Sequence, residues 1–189
     1  MKEIPNQQCH EGAPTLKEES VVVSDHGGLK NVLVSIEGIG PAAPIESETP
    51  VLDQVHCRYV PHVLGVTVGQ EMIVRSSDAT IHNVHLLADA NEPMNFAQTS
   101  AGQEKRVSFK KPEILRTKCD VHPWMTAYVA VVENPFFAVS GDDGEFEIKN
   151  VPAGSYKLVA WHEQFGRMEQ PVKVSDEKPA EVNLTYKTD

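Results

Sequence analysis

Helical periodicity is what this chain most plainly lacks. No stretch of its 189 residues sustains apolar side chains at spacings of three and four, so helices are not expected to carry the fold. Long apolar runs are missing too. None approaches the roughly 18 residues that cross a bilayer as a helix, so no membrane span is expected. Positive charge is sparse: 17 basic residues stand against 27 acidic ones, for a net charge of −10, and no basic cluster interrupts the pattern. Phosphate backbones are held by a positive stripe, which excludes nucleic acid as an expected partner. Cysteine is scarce, with Cys9, Cys57 and Cys119 the only three. A chain of this length can bury a core without a disulfide framework. An odd count suggests one pair and one thiol reserved for other work. A pair would form in an oxidising compartment. The N-terminal Met1-Lys2-Glu3-Ile4-Pro5-Asn6 has no apolar core of a secretion signal. A periplasmic or otherwise extracytoplasmic location, with a leader removed, is therefore the expectation, against a cytosolic protein with three free thiols.

What the sequence does contain is short strands. Residues 1–17 are polar and read as an arm. Val21–Val23 and Val32–Ile36 are β-branched runs parted by Asp25-His26-Gly27-Gly28, and a proline-bearing linker runs from Gly38 to Pro50. A second series follows at 63–68, 72–74, 84–87, 106–109 and 127–132. A third comprises 137, 146–148, 156–161, 172–174 and 182–184, punctuated by turns such as Asp142-Asp143-Gly144. Evenly spaced short strands with turn residues between them predict an all-β sandwich architecture.

The segment richest in chemistry is Lys118-Cys119-Asp120-Val121-His122-Pro123-Trp124-Met125. It gathers a thiolate, an imidazole and a thioether between an extended stretch and the strand from Ala127. Soft sulfur donors with imidazole suit copper, and two His, one Cys and a weak axial Met make a blue-copper electron-transfer set. The second imidazole is available in Ile81-His82-Asn83-Val84-His85. Side chains alternate along a strand, so His85 faces away from His82 and reads as a non-ligand. Each of these residues also has an ordinary alternative as core or surface. Their joint order and spacing point to the metal.

The His-Asn-Val-His string at 82–85 and the Cys-x-x-His-Pro-aromatic-Met string at 119–125 resemble the cupredoxin family, and amicyanin-like members most. Tyr59-Val60-Pro61 through Gly69-Gln70 resembles the strand leading into that region. The resemblance covers residues 51–133. It implies a Greek-key β-sandwich with one copper per chain, cycling between Cu(I) and Cu(II). His82, Cys119 and His122 would be its equatorial ligands and Met125 its axial one. Asn83 would tie the ligand loop to the first-ligand strand. His122 would be the exposed ligand edge, with Pro123 and Trp124 as an apolar docking rim. One departure stands out: amicyanin-like and plastocyanin-like members carry proline where this chain has Val121. Val121 therefore retains an N–H that proline lacks, a further possible donor to the Cys119 sulfur. With Cys119 taken as ligand, Cys9 and Cys57 remain as the expected disulfide.

Residues 137–186 resemble another family. Ser140 to Ile148 and Val151-Pro152-Ala153-Gly154-Ser155-Tyr156-Lys157-Leu158 are similar to the carboxypeptidase regulatory-like, or transthyretin-like, β-sandwich, a noncatalytic module. Its first two strands are missing from this piece and match the runs at 21–24 and 31–37. The expected organisation is an arm at 1–17, a discontinuous module at 18–45 and 134–189, and an inserted copper-binding domain at 46–133. A simple tandem is the alternative.

The leading functional expectation is a non-enzymatic electron carrier whose partner is a redox protein, such as a c-type cytochrome or a dehydrogenase. A copper carrier or structural module without such a partner is one rival. The other is a copper-dependent oxidoreductase, which needs a second metal or an open coordination position. His56, His62, His85 and His162 are available for a second site, but no spacing among them matches a catalytic motif.

Overall fold

The computed structural model describes residues 3, 9, 15–40 and 48–187. Most of the expected arm and residues 41–47 of the expected linker lie outside the described residues. The chain is all-β: among the described residues every helix or strand element is a strand. In chain order these are β1 (Leu33–Glu37), β2 (Val51–Gln54), β3 (Tyr59–Val60), β4 (Val63–Thr67), β5 (Met72–Ser76), β6 (His82–Leu87) and β7 (Met94–Gln98). There follow β8 (Gln103–Val107), β9 (Glu113–Lys118), β10 (Thr126–Val132), β11 (Phe137–Val139), β12 (Gly154–His162) and β13 (Gly166–Val174). Two compact units emerge. One comprises Met1–Glu19 with Pro44–Glu133, the other Ser20–Ala43 with Asn134–Asp189.

The first unit holds two sheets, of order β4-β10-β9-β6-β7 and β3-β2-β5-β8. Most pairs are antiparallel, but β4 runs parallel to β10 and β2 parallel to β5. Period-2 alternation explains the layering. In β6, His82, Val84 and Leu86 point inward while Asn83, His85 and Leu87 are more exposed. Leu52, Met72 and Val74 from one sheet meet Val84, Leu86, Leu115 and Val129 from the other in a single core. Each such side chain contributes about 1.5–3 kcal/mol when fully buried. A polar bridge also crosses the sheets. Buried Gln54 donates its amide to Gln98 and to the Arg75 carbonyl, and Gln98 donates to the carbonyls of Val74 and Gln103.

The second unit is a sheet of order β11-β1-β12-β13, antiparallel throughout. Val34, Ile36, Leu158 and Ala160 form the heart of its core. Asp142-Asp143-Gly144 is a tight turn, as Gly144 N–H bonds the Gly141 carbonyl and Asp143 Oδ1 accepts the Glu145 N–H. Gly144 sits at φ 83 against Gly28, where a Cβ would lie 2.5 Å from the Gly28 Cα.

Three expected strands are not strands. Around Val21–Val23 only an isolated bridge, Val23 to Leu29, forms. Residues 146–148 and 182–184 alternate half-buried and exposed, and Phe146, Ile148, Val182 and Leu184 pack on the core, yet none joins a ladder. Alternation reports a half-buried extended segment, whereas a strand also needs a partner's backbone.

Candidate metal centre

Sheet register assembles the site. β6 begins at His82 and lies beside β9, with His85 opposite Lys118. Cys119 follows directly on β9, and Met125 directly precedes β10, the antiparallel neighbour of β9. The connecting loop closes on itself: Cys119 N–H bonds the Met125 carbonyl at 3.2 Å, and Met125 N–H bonds the His122 carbonyl at 2.9 Å. His82, Cys119, His122 and Met125 are all buried.

Within this pocket the Nδ1 atoms of His82 and His122 stand 3.1 Å apart, and Cys119 Sγ lies 3.7 Å from His122 Nδ1. For metal bonds of about 2.0 Å to nitrogen and about 2.3 Å to sulfur, these separations correspond to angles of roughly 100° and roughly 120° at a shared ion. The donor set therefore fits one small, soft-ligated metal ion. Cys57 also lies among the potential donors, near both imidazoles. Its sulfur is joined to Cys9 in a disulfide, which leaves Cys119 as the free thiol.

Hydrogen bonds fix the ionic state of the site. Burial pushes the Cys119 thiol up, but bonds from His82 and from the backbone N–H groups of Asn83, His122 and Val121 outweigh it and hold the thiol below its usual range. The Asn83 and His122 N–H groups each lie 3.3 Å from the sulfur. Asp78 Oδ2 accepts from His82 Nε2 at 2.8 Å, which holds a proton there and turns Nδ1 toward the pocket. Burial lowers His82, but Cys119 and Asp78 raise it on balance. The same burial works upward on Asp78, whereas the N–H of Cys57, the His82 ring and the N–H of His56 bring it below the ordinary range. His122, desolvated and beside His82, is lowered.

Around this centre, Asn83 Oδ1 accepts the Asp120 N–H at 3.2 Å, joining β6 to the 119–125 loop. His85 points away from the pocket and pairs with Asp120 at 3.0 Å. His62 stacks edge-on against Tyr128, and His162 lies in the second unit, stacked on Phe165. Pro123 is exposed. Trp124 is half-buried against the core and donates Nε1–H to the Cys57 carbonyl at 3.1 Å. The expected exposure of His122 is not found, as only 7% of it is accessible. Cys57 Sγ covers its Nε2 edge at 3.9 Å, and the Trp124 ring packs 5.2 Å from its own.

No protein-family model and no curated protein matches this chain. Among solved structures it is similar to a copper-containing nitrite reductase from Thermus scotoductus SA-01, at 22% identity and a TM-score of 0.43, over 49% of this chain and 25% of that one. It is also similar to amicyanin. The match to a Met-to-Ala mutant in the Cu(I) form has 22% identity and a TM-score of 0.40, over 52% of this chain and 97% of that one. An oxidised Pro-to-Gly mutant matches at 24% identity and a TM-score of 0.41 with the same coverage. The chain thus spans a quarter of the nitrite reductase and nearly all of amicyanin.

Two residues of the site escape a reading of the sequence. Asp78 lies in the turn before β6, and the signal for it is general: a ligand imidazole needs an acceptor for its other nitrogen. Tyr59 is buried, and its hydroxyl donates to the carbonyl of Asn83 at 2.6 Å, with the Lys118 carbonyl at 3.2 Å, so it ties β6, which begins at His82, to β9, which leads into Cys119. Burial first, then the charges of Cys119 and Asp120, push its pKa far up and keep it a donor. No local pattern marks it.

Proposed function

We propose that the first unit is a cupredoxin-type domain holding one type 1 copper ion through His82, Cys119, His122 and Met125, and that it carries single electrons. The observation that carries this reading is the convergence of two Nδ1 atoms 3.1 Å apart on a free, buried thiol 3.7 Å from one of them. Copper bound there would supply a one-electron couple between Cu(II) and Cu(I).

The chain's own part is to hold the donors still. Asp78 keeps the His82 proton at Nε2. Asn83 and His122 stabilise negative charge on the Cys119 sulfur through their backbone N–H groups. Tyr59 fixes the spacing of the strands that bear His82 and Cys119. Met125, buried in the same core as Cys119, would add a weak thioether donor. Ligands already placed need little rearrangement when charge changes, which is the requirement for fast electron transfer.

The second unit is a carboxypeptidase regulatory-like β-sandwich, with the copper domain inserted in sequence between its halves. The division of the chain into two compact units at Glu19–Ser20, Ala43–Pro44 and Glu133–Asn134 supports that arrangement. A redox protein such as a c-type cytochrome or a dehydrogenase is the proposed partner, in the periplasm or another extracytoplasmic space, where a disulfide persists. Among the described residues, no helix is long and apolar enough to cross a membrane. The test is a visible and paramagnetic-resonance spectrum of the copper-loaded chain with metal analysis. One copper per chain and an intense thiolate-to-copper band support the reading; copper bound without that band would refute it.

A further inference from the structure

The turn joining β2 to β3 carries residues that a simple hairpin would not choose. Val55 and Arg58 exchange backbone hydrogen bonds of 2.9 and 3.1 Å across His56 and Cys57, both at φ 52. Two central residues at positive φ make the type I′ pattern that Asn-Gly fills without strain. A histidine and a cysteine there are strained, and strain of this kind persists where the surroundings over-determine it.

Three ties do so here. Asp78 accepts the N–H of His56 at 2.7 Å and of Cys57 at 2.8 Å, while its Oδ2 also holds His82 Nε2. Trp124 donates to the Cys57 carbonyl. The third tie is the disulfide to Cys9, which seats the wholly buried Cys57 sulfur 3.9 Å from Nε2 of His122. That is the ring edge opposite the proposed metal-binding nitrogen. One covalent bond therefore backs His122 directly and reaches His82 through Asp78.

We infer that the Cys9–Cys57 disulfide is a redox-sensitive latch on the metal centre, positioning both imidazoles when closed and releasing His122, and with it the metal, when reduced. This rests on the copper reading above. Opening is a thiol–disulfide exchange with an external dithiol. Its thiolate attacks Cys9, which is 8% accessible where Cys57 is 0%. The Cys9–Cys57 bond breaks, Cys57 leaves as a thiolate and takes a proton, and a mixed disulfide forms at Cys9. The reagent's second thiol then closes on its own sulfur and frees Cys9 as a thiol. In total two electrons and two protons pass to the protein and the dithiol leaves as a disulfide.

Co(II) serves as the probe, because a water-soluble phosphine opens the disulfide without reducing it. The full chain is loaded with Co(II), treated or not with phosphine, and challenged with excess EDTA while the thiolate-to-cobalt absorption is followed. The latch predicts at least tenfold faster cobalt loss after reduction and displaced paramagnetic ring signals of His122. Amide exchange at Leu115 and Val129 should stay unchanged. Cys9→Ala/Cys57→Ala, which needs no reductant, should match the reduced protein. Release within twofold of the untreated rate overturns the latch. So does core exchange that accelerates in step with release, since the bond is then an ordinary staple. If untreated protein never develops the cobalt–thiolate absorption, the copper reading itself falls, and the latch with it.

Discussion

The backbone N–H of Asn83 and the Sγ of Cys119 meet at 3.3 Å across the seam between β6 and β9. The strand that supplies one imidazole thus also solvates the thiolate, so the sulfur's charge and the position of His82 are set by one piece of sheet. Cys119→Ser removes the only free sulfur of the three. It is expected to abolish the visible band of the copper protein, whereas Cys57→Ser, which keeps the Cys119 thiol, still develops the band in excess copper but yields the metal faster to a chelator. Absorption and resonance spectra of the two variants decide between the thiols.

Val121 contributes the last and weakest of the backbone bonds that lower the Cys119 thiol. Val121→Pro deletes that N–H, raises electron density on sulfur and favours the oxidised metal. The potential should fall by no more than about 59 mV, a tenfold change for a one-electron couple, because the Asn83 and His122 donors remain. Voltammetry on a variant whose spectrum is unchanged measures it; a rise in potential would contradict the role given to this N–H.

Asp78 links the chemistry to acid stability. Its folded pKa lies below the ordinary value. Its contribution is therefore complete above the unfolded pKa of about 3.9 and is lost as pH falls through the folded value. Asp78→Asn should destabilise the metal-free protein at neutral pH, with the difference from wild type vanishing in strong acid. Metal affinity should drop about 10- to 100-fold, as for other outer partners of ligand imidazoles. Urea titrations across pH and a competitive chelator assay read the two effects.

Glu113 offers the same linkage remote from the metal. Its carboxylate accepts N–H groups of Ala90, Asp89 and Asn91 and the Asn91 side-chain amide, which outweigh desolvation and bring its pKa to about 2. It stabilises above its unfolded value of about 4.3 and ceases to do so as pH falls toward 2. Glu113→Gln should raise the midpoint pH of acid unfolding without shifting the copper band. An unchanged acid midpoint would show that the loop after β6 does not depend on this carboxylate.

Core packing gives a fourth scale. Leu115 is fully buried at the centre of β9, so Leu115→Ala should cost about 2–5 kcal/mol. Equilibrium unfolding of the metal-free chain is the measurement.

The residues proposed as ligands stood out in the sequence because their chemistry is local: a thiol, an imidazole and a thioether in one short loop, and a histidine at a strand start. The inward turn of His82 and the outward turn of His85 followed from strand alternation. Asp78 and Tyr59 were not legible, since each acts by approaching another strand and carries no pattern of its own. The burial of His122 went unseen for the same reason, as the sulfur that covers it is 65 residues away in the chain. In the second unit, the alternating patterns of 146–148 and 182–184 gave the correct half-buried face and the wrong hydrogen bonding.

The bond from Cys119 N–H to the Met125 carbonyl makes the 119–125 loop a ring closed by two adjacent strands. Its two ends cannot separate without parting β9 from β10, so the sulfur atoms of Cys119 and Met125 keep their places whatever happens on the arc between them. Variation in loop length or composition is thereby channelled to the stretch from Asp120 to Trp124. Exposed Asp120, Val121 and Pro123 lie on that arc, whereas His122 is held between them by its N–H bond to the sulfur. Evolution or an engineer can thus rewrite the exposed arc while the paired strands keep Cys119 and Met125 in register.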